Sequence, residues 1–280
     1  MEGAVIEKIL NNNVVVAKKG TTDMILIGKG IGFNLPKGSV VPENRIEKVF
    51  INNNEEINQN YDKILSTVDS KIVGLSEEII HNTELELDVK LSDPIHVSLP
   101  DHINFALSRY EKGLNMENPF LNELKGLYPK EFSLAEKGVN LINQRFNIQL
   151  KDDEIGFICL HIRAAISDSE VGKSYEYTKR IGAVMALISS LLGEAVDKNS
   201  LEYARTVTHI NCMVERVKTG KTIKNLLLDT IKAEFVNEFD FAIKVSLKIE
   251  GIFGISVPED EVGYLALHLK RLSDLNVLKK

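Results

Sequence analysis

The chain has 280 residues, of which 44% are hydrophobic and 26% charged, enough for two or three domains with a substantial core and too apolar for a disordered chain. No run of residues is long and apolar enough for a membrane helix, and the first residues lack the apolar core of a secretory signal. The two cysteines, Cys159 and Cys212, are isolated and give no disulfide framework. We therefore expect a cytoplasmic protein without membrane insertion.

The net charge of −6 is unevenly distributed. Residues 1–51 hold seven basic and five acidic side chains, so the other 229 residues carry a net charge of −8. A slightly basic segment before an acidic body permits a nucleic-acid contact by the first and argues against one for the second.

The first 51 residues predict a small antiparallel sheet. Apolar and β-branched runs occur at 3–10 (GAVIEKIL), 14–17 (VVVA), 24–27 (MILI) and 45–51 (RIEKVFI), with a glycine turn in KKGTTD between the second and third. A sheet of ~50 residues has a marginal core, so we expect it to dimerise or to pack on a partner. The polar stretch 51–60, INNNEEINQN, predicts a linker.

From residue 61 onward the pattern becomes helical. Apolar residues recur at spacings of three and four in YDKILSTVDSKIVGL and AEKGVNLINQRF. Prolines divide this region, and we expect them in the loops between helices: Pro94, Pro100, Pro119, Pro129 and Pro258.

The helical region contains an internal repeat. DHINFALSR matches THINCMVER, and GFICLHIRAA matches GYLALHLKRL, both at an offset of 107 residues without a gap. We therefore expect two copies of one all-helical module: a first module at 61–170 and a second module at 171–280. The sheet and the linker together form a predicted head domain of residues 1–60. We therefore expect a multidomain protein, with a small all-β domain followed by two homologous all-α helical bundles.

The repeat separates four histidines from the rest. His102 and His161 in the first module correspond to His209 and His268 in the second, whereas His81 and His96 have no counterpart. Cys159 and Cys212 have no cysteine at the corresponding positions, which indicates that they are small packing residues.

Three interpretations of the four histidines stay open from the residues alone. They can be buried structural groups, or zinc ligands together with Asp101 or Asp153, although no HExxH or paired-cysteine spacing supports a metal. They can also accept phosphoryl groups, because a neutral imidazole nitrogen attacks phosphorus directly. Asp101 adjoins His102, and Arg109 lies two helical turns further along the same face, whereas Arg163 lies off the face of His161.

The head carries a glycine-rich segment, IGKGIGF, at 27–33. It does not fit a P-loop or a dinucleotide-binding fingerprint, because Lys29 is followed by glycine and the segment runs into Asn34-Leu35-Pro36. One interpretation is a strand whose bare backbone admits another molecule, with Lys29 for a phosphate, Phe33 for a base and the amides of Asn11–Asn13 for base edges. The other is a tight turn followed by a core phenylalanine.

KILNNNVVVA followed by ILIGKGIGF resembles the co-antiterminator RNA-binding domain of transcriptional antiterminators of the BglG/SacY family. The two histidine modules resemble the paired regulatory domains of that family, which respond to the sugar phosphotransferase system. The resemblance covers essentially the whole chain. GKGIGF, MENPFLNE, LYPKEF and EIGFICLHI are most similar to the glucose-type branch.

The resemblance implies an RNA-binding regulator and not an enzyme. The head would bind, as a homodimer, the hairpin in nascent messenger RNA called the ribonucleic antiterminator, which excludes a terminator. The matching RNA-contact positions are Lys8, Asn13, Gly28, Lys29, Gly30 and Phe33.

The family also implies regulation by phosphorylation. A sugar-specific enzyme II would phosphorylate the first module at His102 and His161 and switch the protein off, and the phosphocarrier protein would phosphorylate the second at His209 and His268 and favour activity. One departure between the repeats adjoins a histidine, where Asp101 corresponds to Thr208, so the two sites are not expected to be equivalent. We expect no cofactor and no metal.

Two other classes of function remain as alternatives. A DNA-binding activator with the same regulatory modules would need a helix-turn-helix head, which the strand-rich residues 1–51 do not offer. An enzyme that uses the four histidines would need a cofactor or substrate motif, and the sequence contains none.

Overall fold

The computed structural model describes residues 3–50, 55–193 and 196–277, and at 55–58 and 275–277 it describes the backbone alone. Its N-terminal part is an antiparallel sheet in the order β1-β2-β3-β4. The strands are β1 (Val5–Ile9), β2 (Val14–Lys19), β3 (Thr22–Ile27) and β4 (Lys48–Phe50). The four strands predicted from sequence are confirmed, except that residue 51 lies outside the described residues.

Both faces of the sheet are buried. The register places Val15 opposite Leu26 and Ala17 opposite Met24, so these side chains share one face. They belong to a core formed by Ala4, Ile6, Val15, Ala17, Met24, Leu26, Ile31 and Val41. Residues of the opposite face, Val14, Val16, Ile25 and Ile27, are also buried, and helix α2 (Ser70–Leu87) packs against β2 and β3. One face of this thin sheet is therefore covered by a helix of the same chain, and its dimerisation stays a prediction.

The rest of the described chain is helical. After a short 3-10 helix at Glu43–Arg45, the helices besides α2 are α1 (Glu55–Thr67), α3 (Ile95–Glu111), α4 (Leu121–Leu127), α5 (Pro129–Phe146), α6 (Asp153–Ile166), α7 (Val171–Leu191), α8 (Leu201–Lys218), α9 (Leu228–Glu234), α10 (Val236–Phe253) and α11 (Glu259–Val277). A membrane-spanning candidate, both long and apolar enough for a bilayer, does not occur among these described helices.

The predicted linker at 51–60 is wrong for its second half, because α1 begins at Glu55; residues 51–54 lie outside the described residues. Acidic residues at a helix start are favourable, and the helix continues into an apolar stripe in which Tyr61 and Ile64 are buried. The helical pattern at 61–75 is interrupted at Asp69, whose carboxylate accepts a hydrogen bond from the Lys71 backbone N–H at 2.8 Å and caps α2.

The expected loop position is wrong for two prolines. Pro129 is the first residue of α5, where the missing N–H costs nothing. Pro100 lies inside α3, so the carbonyl of His96 lacks its helical donor there. The other three prolines precede helices, as predicted.

The repeat is visible in the helix bounds. Helices α9 and α10 begin and end 107 residues after α4 and α5, so the sequence offset is reproduced by the fold. Packing, however, divides the chain into one compact unit of residues 1–118 with 133–171 and another of 119–132 with 172–280. Packing and sequence similarity are different criteria, so the predicted domain boundaries stay a prediction.

Candidate functional sites

The loop between β1 and β2 and the glycine segment after β3 are joined by hydrogen bonds. The backbone carbonyl of Asn13 accepts from Gly28 N–H at 2.9 Å, and its side-chain Oδ1 accepts from Gly30 N–H at 3.0 Å. The carbonyl of Asn12 accepts from Gly32 N–H at 2.9 Å. The two segments, residues 11–13 and 28–33, therefore form one surface of the head, the loop surface.

The glycine segment is a series of turns and not a strand. Ile31 N–H donates to the Gly28 carbonyl and Phe33 N–H to the Gly30 carbonyl, each at 3.1 Å. Gly30 has a φ of 67°, a left-handed conformation that favours glycine. The strand interpretation is wrong for this reason. The tight-turn interpretation is right for the backbone and wrong for Phe33, whose side chain is 57% exposed instead of in the core.

Gly28 has an internal reason for lacking a side chain. The residue is buried, and a Cβ there would lie 1.8 Å from the backbone carbonyl oxygen of Arg45. A glycine is therefore required at this position because the backbone at Arg45 occupies the space that a side chain would need. The structure offers no exposed Gly28 surface for another molecule.

The other predicted contact residues fall into two groups. Asn13, Lys29, Gly30 and Phe33 share the loop surface, with the Lys29 side chain exposed. Lys8 is not brought to it, because its ammonium group donates to the carbonyl of Leu65 in α1 at 2.7 Å.

The two histidines that the repeat left out lie where the sheet meets the helices. Nε2 of His81 on α2 is 3.7 Å from the carboxylate of Glu47, which also accepts from the Lys29 backbone N–H at 3.2 Å. The ring of His96 stacks on Phe50 of β4 with centroids 3.8 Å apart, and its Nδ1 is 2.8 Å from the buried Glu77. Both histidines therefore connect the head to the first helices, a role that no sequence pattern indicated.

The first histidine site is a cluster of side chains from α3 and α6. Nε2 of His102 is 3.0 Å from one carboxylate oxygen of Glu154, and Arg109 donates to the other at 2.8 Å. The rings of His102 and His161 have centroids 5.0 Å apart, and Nδ1 of His161 lies 3.2 Å from the hydroxyl of Ser98. Glu154 thus orients one histidine and one arginine together.

The environment sets the charge of these groups. Burial, together with the nearby His102, lowers the pKa of His161 to about 3, so this imidazole is neutral at physiological pH. Burial opposes ionisation of Glu154, but hydrogen bonds from His102 and Arg109 outweigh it and lower the pKa of the carboxyl. The site therefore holds a neutral imidazole beside a carboxylate and a guanidinium group.

The second histidine site repeats the residues but not all of the contacts. Arg216 holds both oxygens of Glu261, through Nε and Nη2, each at 2.9 Å. The rings of His209 and His268 stack with centroids 4.3 Å apart. Within the described residues, the buried Nε2 of His209 and Nδ1 of His268 have no hydrogen-bond partner. Burial lowers the pKa of both histidines, to about 3 for His209.

Sequence reasoning missed Glu154 and Glu261 as site residues, although both follow the 107-residue offset and that signal could have identified them. It had no signal for Ser98, whose counterpart in the second module is Arg205. Thr208, which replaces Asp101, donates to the carbonyls of Gly126 and Ala204 at 2.9 Å, so it has a packing role.

Two other interpretations can be compared with the structure. Cys159 is buried, as a packing residue should be, but Cys212 is exposed, so that prediction is wrong for the second cysteine. Asp101 is exposed, and Asp153 accepts a hydrogen bond from the Asn118 backbone N–H at 2.7 Å. In the described part of the chain, no group of three or more histidine, cysteine, aspartate or glutamate side chains is arranged to hold a metal.

Comparison with known proteins identifies the family. A family model described as a CAT RNA binding domain matches residues 4–59, and one described as a PRD domain matches 77–165 and again 183–272. The transcription antiterminator LicT of Bacillus subtilis is 33% identical over 271 residues, which are 95% of this chain and 98% of LicT. The chain belongs to the BglG/SacY family of transcriptional antiterminators.

Other members of the BglG/SacY family are similar over comparable lengths. Protein GlcT of Staphylococcus saprophyticus is 31% identical over 275 residues, covering 96% of this chain and 97% of GlcT. The PtsGHI operon antiterminator of Bacillus subtilis is 33% identical over 272 residues, covering 96% and 97%. A solved structure, described as the crystal structure of GlcT CAT-PRDI, has a TM-score of 0.50 and 38% identity, and covers 59% of this chain and 98% of that one.

The family resemblance predicted from sequence is therefore confirmed. This antiterminator has an RNA-binding CAT domain, built on the four-stranded sheet, followed by two helical PRD domains. The head is not a helix-turn-helix, so the DNA-binding alternative loses the element it required. The relatives named here are regulators of transcription, not enzymes.

Proposed function

We propose that this antiterminator controls an operon for sugar uptake by the phosphotransferase system, in the glucose-permease class, and that histidine phosphorylation switches it. The relatives named GlcT and PtsGHI operon antiterminator support this target. The protein would act as a transcriptional activator in the cytoplasm, with a head at 1–60 and regulatory domains at 61–170 and 171–280. It would catalyse no reaction of its own and need no cofactor.

The RNA hairpin would bind the loop surface of the head. Phe33 is the exposed aromatic group there and can stack on a base. Lys29 supplies a positive charge for a phosphate, and the amide of Asn13 can reach base edges. Gly28 and Gly30 would shape the turns that present these side chains, and Lys8 would contribute only if it left its bond to Leu65.

The four paired histidines would accept the phosphoryl groups: His102, His161, His209 and His268. The observation that carries this proposal is the contact between the two histidines of each module, because a repeated pair of imidazoles beside an arginine suits phosphoryl transfer. The donors would be a sugar-specific enzyme II for the first pair and the phosphocarrier protein for the second.

Phosphorylation would act through charge. Each phosphoryl group adds roughly two negative charges and three acceptor oxygens. At an interface between two copies of a module, that charge either repels the twin or recruits arginine. Because the head would bind RNA as a homodimer, a change in module pairing would change whether two heads meet on one hairpin.

The RNA interface is tested with the full chain in a gel-shift titration at fixed salt. An imperfect RNA hairpin and the same sequence as duplex DNA serve as ligands, and we expect RNA-selective binding. Phe33→Ala should weaken RNA binding by about 1–3 kcal/mol through lost stacking. Phe105→Ala, on α3 and 63% exposed, is the matched control and should leave affinity unchanged. Equal loss in both variants would contradict the role of Phe33.

The switch is tested in cells with a terminator–reporter fusion. His102→Asp or His161→Asp should mimic the charged first module and keep readthrough low even when the sugar is present. Gln144→Asp places the same charge at an exposed position of α5, outside the histidine site, and serves as the control for a general effect of the charge. Full readthrough in the two site variants, independent of sugar, would overturn this assignment.

A further inference from the structure

The second histidine site contains two arginines that the first site lacks. Arg205 lies four residues before His209 on α8, and Arg271 lies three residues after His268 on α11, so each shares a helix face with a histidine. Because the two histidine rings stack at 4.3 Å, the arginines belong to one cluster.

The corresponding positions of the first module are uncharged. At the 107-residue offset, Arg205 corresponds to Ser98 and Arg271 to Ala164. Ser98 already bonds His161 through its hydroxyl, at 3.2 Å. Both modules therefore contain the histidine pair, whereas the second module alone has arginines at these two positions.

The positive charges of these arginines affect the pKa of His268. Burial, Arg271 and Arg205 lower the pKa of this histidine, and Glu202 partly opposes them. The corresponding effect on His161 comes from burial and from His102 alone. Arg205 has Glu202 as a partner at 2.5 Å on its own helix, so the cluster has two cations for one anion.

Arg216, which corresponds to Arg109 of the first module, is already bonded to a carboxylate in the second site. Both oxygens of Glu261 are held by its guanidinium group, which leaves it poorly placed for a further anion. Arg205 and Arg271 are exposed and can turn toward a new anion at little cost.

We propose that Arg205 and Arg271, the arginine pair, hold the phosphoryl group on His268 and make it longer-lived than the one on His161. The proposal rests on the phosphoacceptor role given above and adds a difference between the two modules. Guanidinium groups suit this role because they bind phosphate oxygens in a bidentate, charge-assisted way. They would act as phosphoryl-binding residues, with no part in breaking bonds.

The proposal is tested on the full chain with phosphoramidate, a small donor that needs no protein partner. The lone pair of a neutral imidazole nitrogen forms an N–P bond while the P–N bond of the donor breaks. The ring releases its N–H proton, and the donor nitrogen takes up a proton and leaves as ammonia. The excess donor is then removed, and mass spectrometry of peptides follows the loss of phosphate from each histidine at pH 7.

In the unmodified chain, phosphate on His268 should persist about fivefold longer than on His161, as expected for a partly exposed charge-assisted pair. Arg205→Ser and Arg271→Ala place the first-module residues at these positions, and together they should remove the difference. Ser98→Arg with Ala164→Arg makes the reverse exchange and should lengthen the lifetime at His161. Lys270→Ala removes a neighbouring charge that faces Asp274 and is the matched control.

Equal lifetimes at His161 and His268, or an unchanged lifetime without the arginine pair, would overturn the proposal. So would failure of phosphoramidate to modify His268 while it modifies a free histidine peptide. Circular dichroism melts check that the exposed arginine variants stay folded. Because the donor is a small molecule, failure of the cellular switch with a normal arginine effect would count against the phosphotransferase partners alone.

Discussion

The two histidine sites contain the same four residues, two histidines, an arginine and a glutamate, at the same spacing, but they differ in how the glutamate is bonded. In the first, Glu154 is shared between His102 and Arg109. In the second, Arg216 donates to both oxygens of Glu261, and Nε2 of His209, which corresponds to the bonded nitrogen of His102, is buried with no hydrogen-bond partner among the residues that the structure describes. A repeated motif therefore fixes which groups are near one another, while their neighbours decide which pairs form.

The largest loss of stability is expected when the carboxylate of either site is replaced by an amide. Glu261→Gln should lower the free energy of unfolding by about 2–4 kcal/mol, because Glu261 is 1% exposed and the amide offers Arg216 one neutral acceptor in place of two carboxylate oxygens. Glu154→Gln should cost about 1–2 kcal/mol, since the amide can still bond His102. Urea unfolding of the full chain measures both. A Glu154→Gln loss as large as the other would break the comparison.

Acid should destabilise both sites. The folded-state pKa of His161 and of His209 is about 3 against 6.5 for a free histidine, so between those values the unfolded chain binds more protons. Stability should fall as pH drops below about 6.5, by about 1–2 kcal/mol per histidine at pH 5. His161→Asn and His209→Asn should each reduce this loss in melts at pH 7 and pH 5. Unchanged pH dependence in the double variant would contradict the neutral state of both rings.

Where the contacts do repeat, the effects should match. Asp153 accepts from Asn118 N–H at 2.7 Å, and Asp260 accepts from Asn225 N–H at 2.8 Å. Asp153→Ala and Asp260→Ala should therefore each cost about 1–2 kcal/mol, the value of a hydrogen bond to a charged group at a half-buried position. Thermal unfolding of the two variants side by side tests this equality. A difference of a factor of two or more would show that the two sites differ beyond their histidines.

The smallest change in stability is expected at the position where the first module has Ser98 and the second has Arg205. Ser98→Ala removes the hydroxyl next to His161 Nδ1 and should cost about 1 kcal/mol. Arg205→Ala removes an exposed pair with Glu202 and should cost under about 0.5 kcal/mol. Denaturant midpoints resolve the difference, and nitrogen NMR of the His161 ring should change only in the first variant.

Much of the fold follows from the sequence because its signals are local. Apolar runs bounded by glycine and asparagine predicted all four strands, and the 107-residue offset predicted two equivalent sets of helices. The errors also have local causes. A polar stretch hid the start of α1, and Pro100 was tolerated inside α3 because packing outweighs one missing hydrogen bond.

The candidate sites were predictable in part. The offset selected His102, His161, His209 and His268, and the structure brings each pair together. The glycine segment was identified, but its turns and the exposure of Phe33 were not, because they depend on Asn12 and Asn13 from another loop.

By itself, the sequence determined the order of one sheet and two helical repeats, the family, and the residues that recur in each repeat. These properties depend on spacing along the chain, which the sequence displays directly. The tertiary structure alone decided that Glu154 bonds both His102 and Arg109, whereas both oxygens of Glu261 bond Arg216. It also decided that His81 and His96 connect the head to the helices. Such pairings join residues distant in the chain, and the energy of each depends on burial and on competing partners, which no local pattern records.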